Sequence, residues 1–418
     1  MIDIKLLRSN IDFFLENYLR RGFNFDIDLI KDLDLKIRAI KRDIDLLRTE
    51  HNVKSNSFKL ASFNFQNIDL LLKEIEILKL NIAKKKNELV ILDEKFNKFL
   101  LSLPNLIHKS VPVFNTVSDV FEIRSFKKNI HSFDTEFDFN SKYIDFKSAS
   151  IVSGHGFVYL KDAVASLHRA ICNFMLDYHI SNYGYKEVYP PFIVSEKSMY
   201  MTGHFPKFIK DQFKIDESNL WLIPTGEVVL ANLVFNKVIK EIDLPLRYVA
   251  HTPCFRKEAI SYGVNAKGMI RQYQFEKVEL VQIVDPTKSY QVLEEMVFHA
   301  ESILKNLDLP YRVIALPDSD IGFSSCKTYD LEAWFPFKKK FIELSSCSNT
   351  EAFQARRLKA KCLFNNNVVD YVHILNASGL AVGRTLMAVL ENYYDRSGKI
   401  FIPNVLRKYM DNKDFFEY

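Results

Sequence analysis

The segment TPCFRKEAISYGVNAKGMIRQYQFEKVEL, residues 252–280, holds the densest set of side chains that could do chemistry. Arg256 and Glu258 leave one run rich in apolar and aromatic residues, and Arg271 enters a second. A loop with Gly263 and Gly268 lies between them. Phe275, Lys277 and Glu279 follow at period two, which in a strand puts all three on one face. A planar aromatic beside arginines on a sheet suits a purine ring with phosphates, because a guanidinium fork can bond two phosphate oxygens at once. An exposed hairpin with surface ion pairs would carry the same residues, so the segment alone leaves both readings open. No GxGxxG and no GxxxxGK(S/T) occurs, and neither a Rossmann nor a P-loop nucleotide site is indicated.

The elements that must position these residues change character near residue 101. Before it, Ile30, Leu33, Ile37, Ile40, Ile44 and Leu47 are spaced three and four apart in alternation. Ile68, Leu71, Ile75, Leu78, Ile82, Leu89, Leu92, Phe96 and Phe99 repeat the rhythm, with Lys85 at the one seam position that breaks it. Each set falls on one stripe of a helix. The Asn- and Ser-rich stretch HNVKSNSFKLASFNFQN between them suits a tip connection. The pattern predicts an antiparallel helical hairpin over residues 1–101, its second helix about 50 Å long at ~1.5 Å per residue. A dimerisation coiled coil or a spacer would show the same seam. Residues 102–150 read as a linker and the start of the next domain, after Leu103-Pro104-Asn105 ends the helix. From there to residue 418 the chain alternates short strands with irregularly placed helices, such as 162–181 and 291–307. That arrangement predicts an α+β domain on a mostly antiparallel sheet flanked by helices.

Bulk properties set wide limits. The net charge of +5 permits a nucleic-acid partner without requiring one. The five cysteines form no CxxC pair and read as reduced thiols of a cytoplasmic protein, not as a disulfide frame or a zinc site. No signal peptide is visible, and no apolar run approaches the ~20 residues that span a bilayer.

FRKEA followed by RQYQFEKVEL resembles motif 2 of the class II aminoacyl-tRNA synthetases in its seryl version. GLAVGRTLMAVLENY (379–393) resembles their motif 3. GYKEVYPP (184–191) resembles motif 1, whose proline, here Pro191, sits at the dimer interface of the family. TGHFPKF, LIPTGEV, LPYRV, KTYDLEAW, IELSSCSN and FQARR carry the seryl likeness through the rest of the chain, with LRSNIDFF near the start. The resemblance implies a homodimeric catalytic domain that activates L-serine with ATP and Mg²⁺, then esterifies serine tRNA. Selenocysteine tRNA stands as a further candidate acceptor. It also implies that the hairpin grips the long variable arm of serine tRNA.

Residue roles follow from the same resemblance. Arg256 matches the arginine on the α-phosphate and the serine carboxylate, with Lys257 and Glu258 beside it and Arg271 across the loop. Adenine would stack between Phe275 and Arg384, which also meets the γ-phosphate. Glu343 and Ser346 match the metal-holding pair, and Leu344 and Ser345 between them join the ATP set. Arg256, Glu343 and Arg384 are the expected catalytic residues. Serine would be held by Thr225, Gly226, Glu227, Arg256 and Glu279, with Ser378 near its hydroxyl.

The chain departs from the family pattern at Gly226, where Ala is common, and at Ile260 and Val264–Lys267 in the motif 2 loop. It departs again at Tyr273, where His is usual, and at Ala377, where Gly is usual. The loop changes bear on how the tRNA acceptor end is gripped. Two rival readings remain. An amino-acid-activating relative that charges a carrier protein would lack the hairpin, and a non-catalytic RNA binder would lack Arg256, Glu279, Glu343 and Arg384. His168, His179 and His299 read as packing or surface residues, Cys254 and Cys347 as small buried hydrophobes, and Lys338–Lys340 as a solvated turn.

Overall fold

The computed structural model describes residues 1–61, 68–114, 120–127, 130–133, 137, 142–257 and 269–418. The chain forms two compact units, Phe23–Leu103 and Met1–Gly22 with Pro104–Tyr418.

The smaller unit is a pair of long helices, α1 (Ile27–Ala61) and α2 (Ile68–Ser102), packed along their length. Ile30, Leu33, Ile37, Ile40 and Ile44 of α1 are buried, as are Ile75, Leu78 and Phe96 of α2, so the heptad positions form the seam. Lys85, the polar interruption, is satisfied across the seam by Asp43 at 2.9 Å. Lys54 reaches Glu74 at 3.0 Å in the same way. The expected tip connection begins later than its composition indicated, because α1 continues through Ala61. Asn and Ser only weakly oppose helix, and an established helix extends at little cost per residue.

The larger unit is built on an eight-stranded sheet. In chain order its strands are β1 (Phe121–Phe126), β2 (Lys186–Glu187), β3 (Leu246–Phe255), β4 (Gln274–Val284), β5 (Tyr311–Ala315), β6 (Lys327–Phe335), β7 (Lys340–Asn349) and β8 (His373–Ala381). Their spatial order is β1-β5-β6-β7-β8-β4-β3-β2. Neighbours are antiparallel except β2 and β3, which run parallel at one edge. The α+β class and mostly antiparallel sheet read from the sequence are observed.

The sheet has two covered faces. Val278 and Leu280 of β4 enter the main core with helices α3 (Asp162–Tyr183), α5 (Ser289–Asn306) and α6 (Val382–Asn392). Val281 and Ile283 point the other way, against the short helix α4 (Gly226–Asn232). The period-two alternation of β4 therefore separates a helix-backed face from a face carrying Phe275, Lys277 and Glu279. Residues 1–22 are tied to this unit by buried contacts. Asn17 exchanges two hydrogen bonds with the Ile107 main chain, at 2.9 and 2.7 Å, and Arg21 donates to the carbonyls of Ile321 and Gly322.

Candidate active site

Strands β3 and β4 place the chemistry-bearing residues. Pairing of Cys254 with Phe275, Thr252 with Lys277 and Ala250 with Glu279 fixes the order of side chains along one face. Arg256 follows the end of β3. Its guanidinium lies 5.1 Å from the centre of the Phe275 ring, and its Nε donates to the Pro224 carbonyl at 3.1 Å. The arginine and aromatic singled out in the sequence are thus brought together. Glu258, Gly263, Gly268, Ile260 and the run Val264–Lys267 lie outside the described residues.

The segment before α4 closes one side. Thr225 caps that helix, its hydroxyl accepting from the Glu227 main-chain N–H at 3.2 Å. The same hydroxyl donates to Glu279 and accepts from Lys277 Nζ at 2.8 Å. Lys277 also pairs with Glu279, and all three side chains are buried. Gly226 sits tightly here: a Cβ on it would stand 2.9 Å from Glu279 Cβ, so an alanine needs a local shift.

Glu227 is held by two amides. Asn376 Nδ2 donates to its Oε1 at 2.9 Å and Gln354 Nε2 at 2.5 Å. Burial, with the charge of Glu279 second, raises its carboxyl to about 7. Nearby His204 is pushed down to about 3, by burial first and then by Arg256 and Lys277. The pocket therefore holds buried charge of both signs, with Glu227 poised between its two forms near neutrality. Ser378 lies opposite Glu279 in the β8–β4 pairing and is half-buried.

A second group lies on β6, β7 and the start of α6. Arg384 Nη1 donates to the Glu343 carbonyl at 2.9 Å and stands 3.3 Å from its carboxylate. Arg384 Nε donates to the Ile270 carbonyl at 3.2 Å. Glu343 is exposed and Ser346 half-buried. Leu344 enters the main core, and Ser345 is fully buried with its hydroxyl donated to the Ser378 carbonyl at 2.6 Å. Neither of these two offers a side chain to the cleft. Arg271 is exposed, and Lys257 is held by its main-chain N–H to the Asp211 carbonyl at 2.8 Å.

Sequence reasoning assigned no part to Lys277, Gln354, Asn376, His204 or Asp330. Asp330 pairs across β6–β7 with Ser346, and its Oδ1 is buried without a hydrogen-bond partner. Burial, reinforced by Glu343, raises this carboxyl far above its ordinary range. Gln354, His204 and Asp330 do stand in the segments FQARR, TGHFPKF and KTYDLEAW, but nothing in those segments alone says which carboxylate or hydroxyl each will meet.

Comparison with known proteins gives one answer along the whole chain. The family described as the seryl-tRNA synthetase N-terminal domain matches residues 1–107. The family described as the tRNA synthetase class II core domain (G, H, P, S and T) matches residues 211–393. The chain is similar to the serine–tRNA ligase of Coxiella burnetii (strain RSA 493 / Nine Mile phase I), 42% identical with all of both chains covered. It is similar to the serine–tRNA ligase of Legionella pneumophila (strain Paris), 44% identical with 99% of each covered. Among solved structures it resembles the seryl-tRNA synthetase from Pyrococcus horikoshii complexed with ATP. That match has a TM-score of 0.91 and 32% identity, covering 100% of this chain and 99% of the other.

Proposed function

The chain belongs to the seryl-tRNA synthetase family, and from that premise we propose how its residues divide the work. It activates L-serine with ATP to seryl-adenylate and pyrophosphate, and passes serine to the terminal ribose of serine tRNA. The observation that carries the residue assignment is the buried Thr225–Lys277–Glu279 cluster, with Glu227 and Arg256 at its border.

The serine carboxylate is ionised at neutral pH and attacks the α-phosphorus without a general base. The site must align the two reactants and offset the charge that builds on phosphate. Arg256 supplies a fork for the α-phosphate and the serine carboxylate. Phe275 and Arg384 hold the adenine ring, and Arg384 also meets the γ-phosphate. Glu227 and Glu279 receive the substrate ammonium, and Thr225 and Ser378 lie toward its hydroxyl. A pocket built to hydrogen-bond a hydroxyl rejects an analogue lacking it by up to ~10⁴–10⁵-fold, whereas an added methyl is excluded mainly by shape. Lys277 keeps Thr225 and Glu279 in place, as Gln354 and Asn376 keep Glu227.

Glu343 and Ser346 offer oxygen donors, the chemistry that a hard divalent cation takes, and the orphan Asp330 Oδ1 beside Ser346 fits the same set. Mg²⁺ held there would supply positive charge to the phosphates.

Helices α1 and α2 serve the tRNA. Lys84 and Lys86 are exposed on α2, whereas Lys85 is spent on Asp43, so the first two are the phosphate contacts. The protein acts as a homodimer through the segment ending at Pro191, where Tyr189 is 88% exposed beside edge strand β2. It works in the cytoplasm, where five buried free thiols stay reduced. Among the described residues no helix is long and apolar enough to cross a membrane.

Two measurements test the proposal. Serine-dependent exchange of pyrophosphate into ATP proceeds without tRNA; faster exchange with alanine, glycine or threonine overturns the specificity. Replacing residues 27–100 with a short flexible linker keeps exchange and abolishes tight tRNA binding; equal tRNA binding by the two proteins removes the hairpin from recognition.

A further inference from the structure

Behind the active face, four potential metal ligands converge from three elements. His168 and Cys172 stand one turn apart on α3, an i,i+4 pair that shares a helix face. His251 comes from β3 and Glu276 from β4. Glu276 alternates with Phe275 and Lys277, so it points to the helix-backed side of the sheet.

The distances are close to those between ligands of one metal ion. Ligand atoms of His168, Cys172 and Glu276 all lie within 4.8 Å of one another. Cys172 Sγ is 3.4 Å from His251 Nε2 and 3.7 Å from Glu276 Oε2. His168 Nδ1 is 4.0 Å from the same carboxylate oxygen, beyond hydrogen-bond reach. In a tetrahedral zinc site, bonds of ~2.0–2.3 Å place neighbouring ligand atoms about 3.3–3.6 Å apart. A metal would open the 2.6 Å hydrogen bond between His251 Nε2 and Glu276 Oε2, replace the two contacts of the Cys172 thiol, and draw the His168 ring in from 4.0 Å. In a purely structural polar network His168 would keep only its 4.0 Å approach to Glu276, since its ring makes no hydrogen bond among the described residues. Cys172 is buried, while the side chains of His168, His251 and Glu276 keep 18%, 29% and 35% of their exposure, which leaves an entry path.

We propose that His168, Cys172, His251 and Glu276 form a site for zinc or a similar borderline divalent cation, which clamps α3 to the strands that carry Arg256, Phe275 and Glu279. One thiolate, two imidazoles and one carboxylate are a donor set that suits zinc and is poor for Mg²⁺. On binding, the Cys172 thiol loses its proton to solvent. The proton on His251 Nε2 moves to Nδ1 or to solvent, and both Nε2 and Oε2 turn from each other to the metal. No electron is transferred. The sequence pointed away from zinc because no CxxC occurs. Only the α3 pair is local, and its partners come 79 and 104 residues after Cys172.

The test uses the full-length protein, stripped with chelator and dialysed against Zn²⁺ or Co²⁺ in excess Mg²⁺. Wild type should take up one more equivalent of zinc than Cys172→Ser, and its cobalt form should show a thiolate-to-metal charge-transfer band that the variant lacks. His168→Gln should weaken zinc binding at least tenfold. It serves as the second arm if Cys172→Ser folds poorly. Equal zinc uptake by wild type and both variants, or a cobalt spectrum without thiolate character in wild type, overturns the site.

Discussion

The carboxyl of Glu227 makes serine binding sensitive to pH in a way that can be worked out from its surroundings. Burial and the charge of Glu279 raise it to about 7 from the ordinary 4.5. If the ionised form receives the substrate ammonium, only that fraction of the enzyme is competent. Near a pKa of 7, about one molecule in eleven is ionised at pH 6 and about ten in eleven at pH 8. The KM for serine in pyrophosphate exchange, at saturating ATP, should therefore be about tenfold higher at pH 6 than at pH 8, with little change in kcat. Serine binding measured by calorimetry near pH 7 should release about half a proton per site. Glu227→Gln should bind serine more weakly and show no such slope between pH 6 and 8. The free protein carries the reverse cost. A carboxyl raised by folding adds stability that is complete below 4.5 and is lost as pH climbs through 7. The free enzyme should thus lose up to about 3 kcal/mol over that range, and Glu227→Gln should not. A flat serine KM in wild type, or the same slope in Glu227→Gln, would refute the assignment.

Arg256→Lys should lower exchange by about 10²-fold or more although charge is retained, because one ammonium cannot reproduce the fork; near-normal exchange removes Arg256 from the phosphate role. Gly226→Ala should raise the serine KM and cost about 1–3 kcal/mol of stability by denaturant titration, since the new Cβ falls 2.9 Å from Glu279 Cβ and neither backbone can yield cheaply. An unchanged KM and midpoint would show that α4 can shift freely. Glu391→Gln should stabilise the protein at pH 8 relative to pH 6 by about 1 kcal/mol, because burial raises this fully buried carboxyl to about 7 and its ionised form is the costly one. Equal pH dependence of stability in wild type and variant would count against it.

The sequence alone carried whatever depends on neighbours a few residues apart. The three-and-four spacing of Ile30 through Ile44 determined the buried seam of α1, because each of those side chains lands on one helical stripe whatever covers it. The period-two series Phe275, Lys277, Glu279 determined which residues share a face of β4. The ordered segments from FRKEA to GLAVGRT were enough to identify the family.

Other features belonged to the fold. Composition placed a connection over residues 51–67, but α1 runs on through Ala61 because helix propagation outweighs the weak preferences of Asn and Ser. That Lys277 would reach Thr225, or that Asn376 and Gln354 would grip Glu227, follows from sheet order and register. Asp330 stood in KTYDLEAW with no part assigned to it until β6 paired with β7 and set it opposite Ser346. His168 read as a packing or surface residue and Cys172 as a reduced thiol until β3 and β4 brought His251 and Glu276 to the same point. Local periodicity reflects energies within one element. The meeting of side chains from distant elements reflects which faces bury together, and only the packed chain decides that.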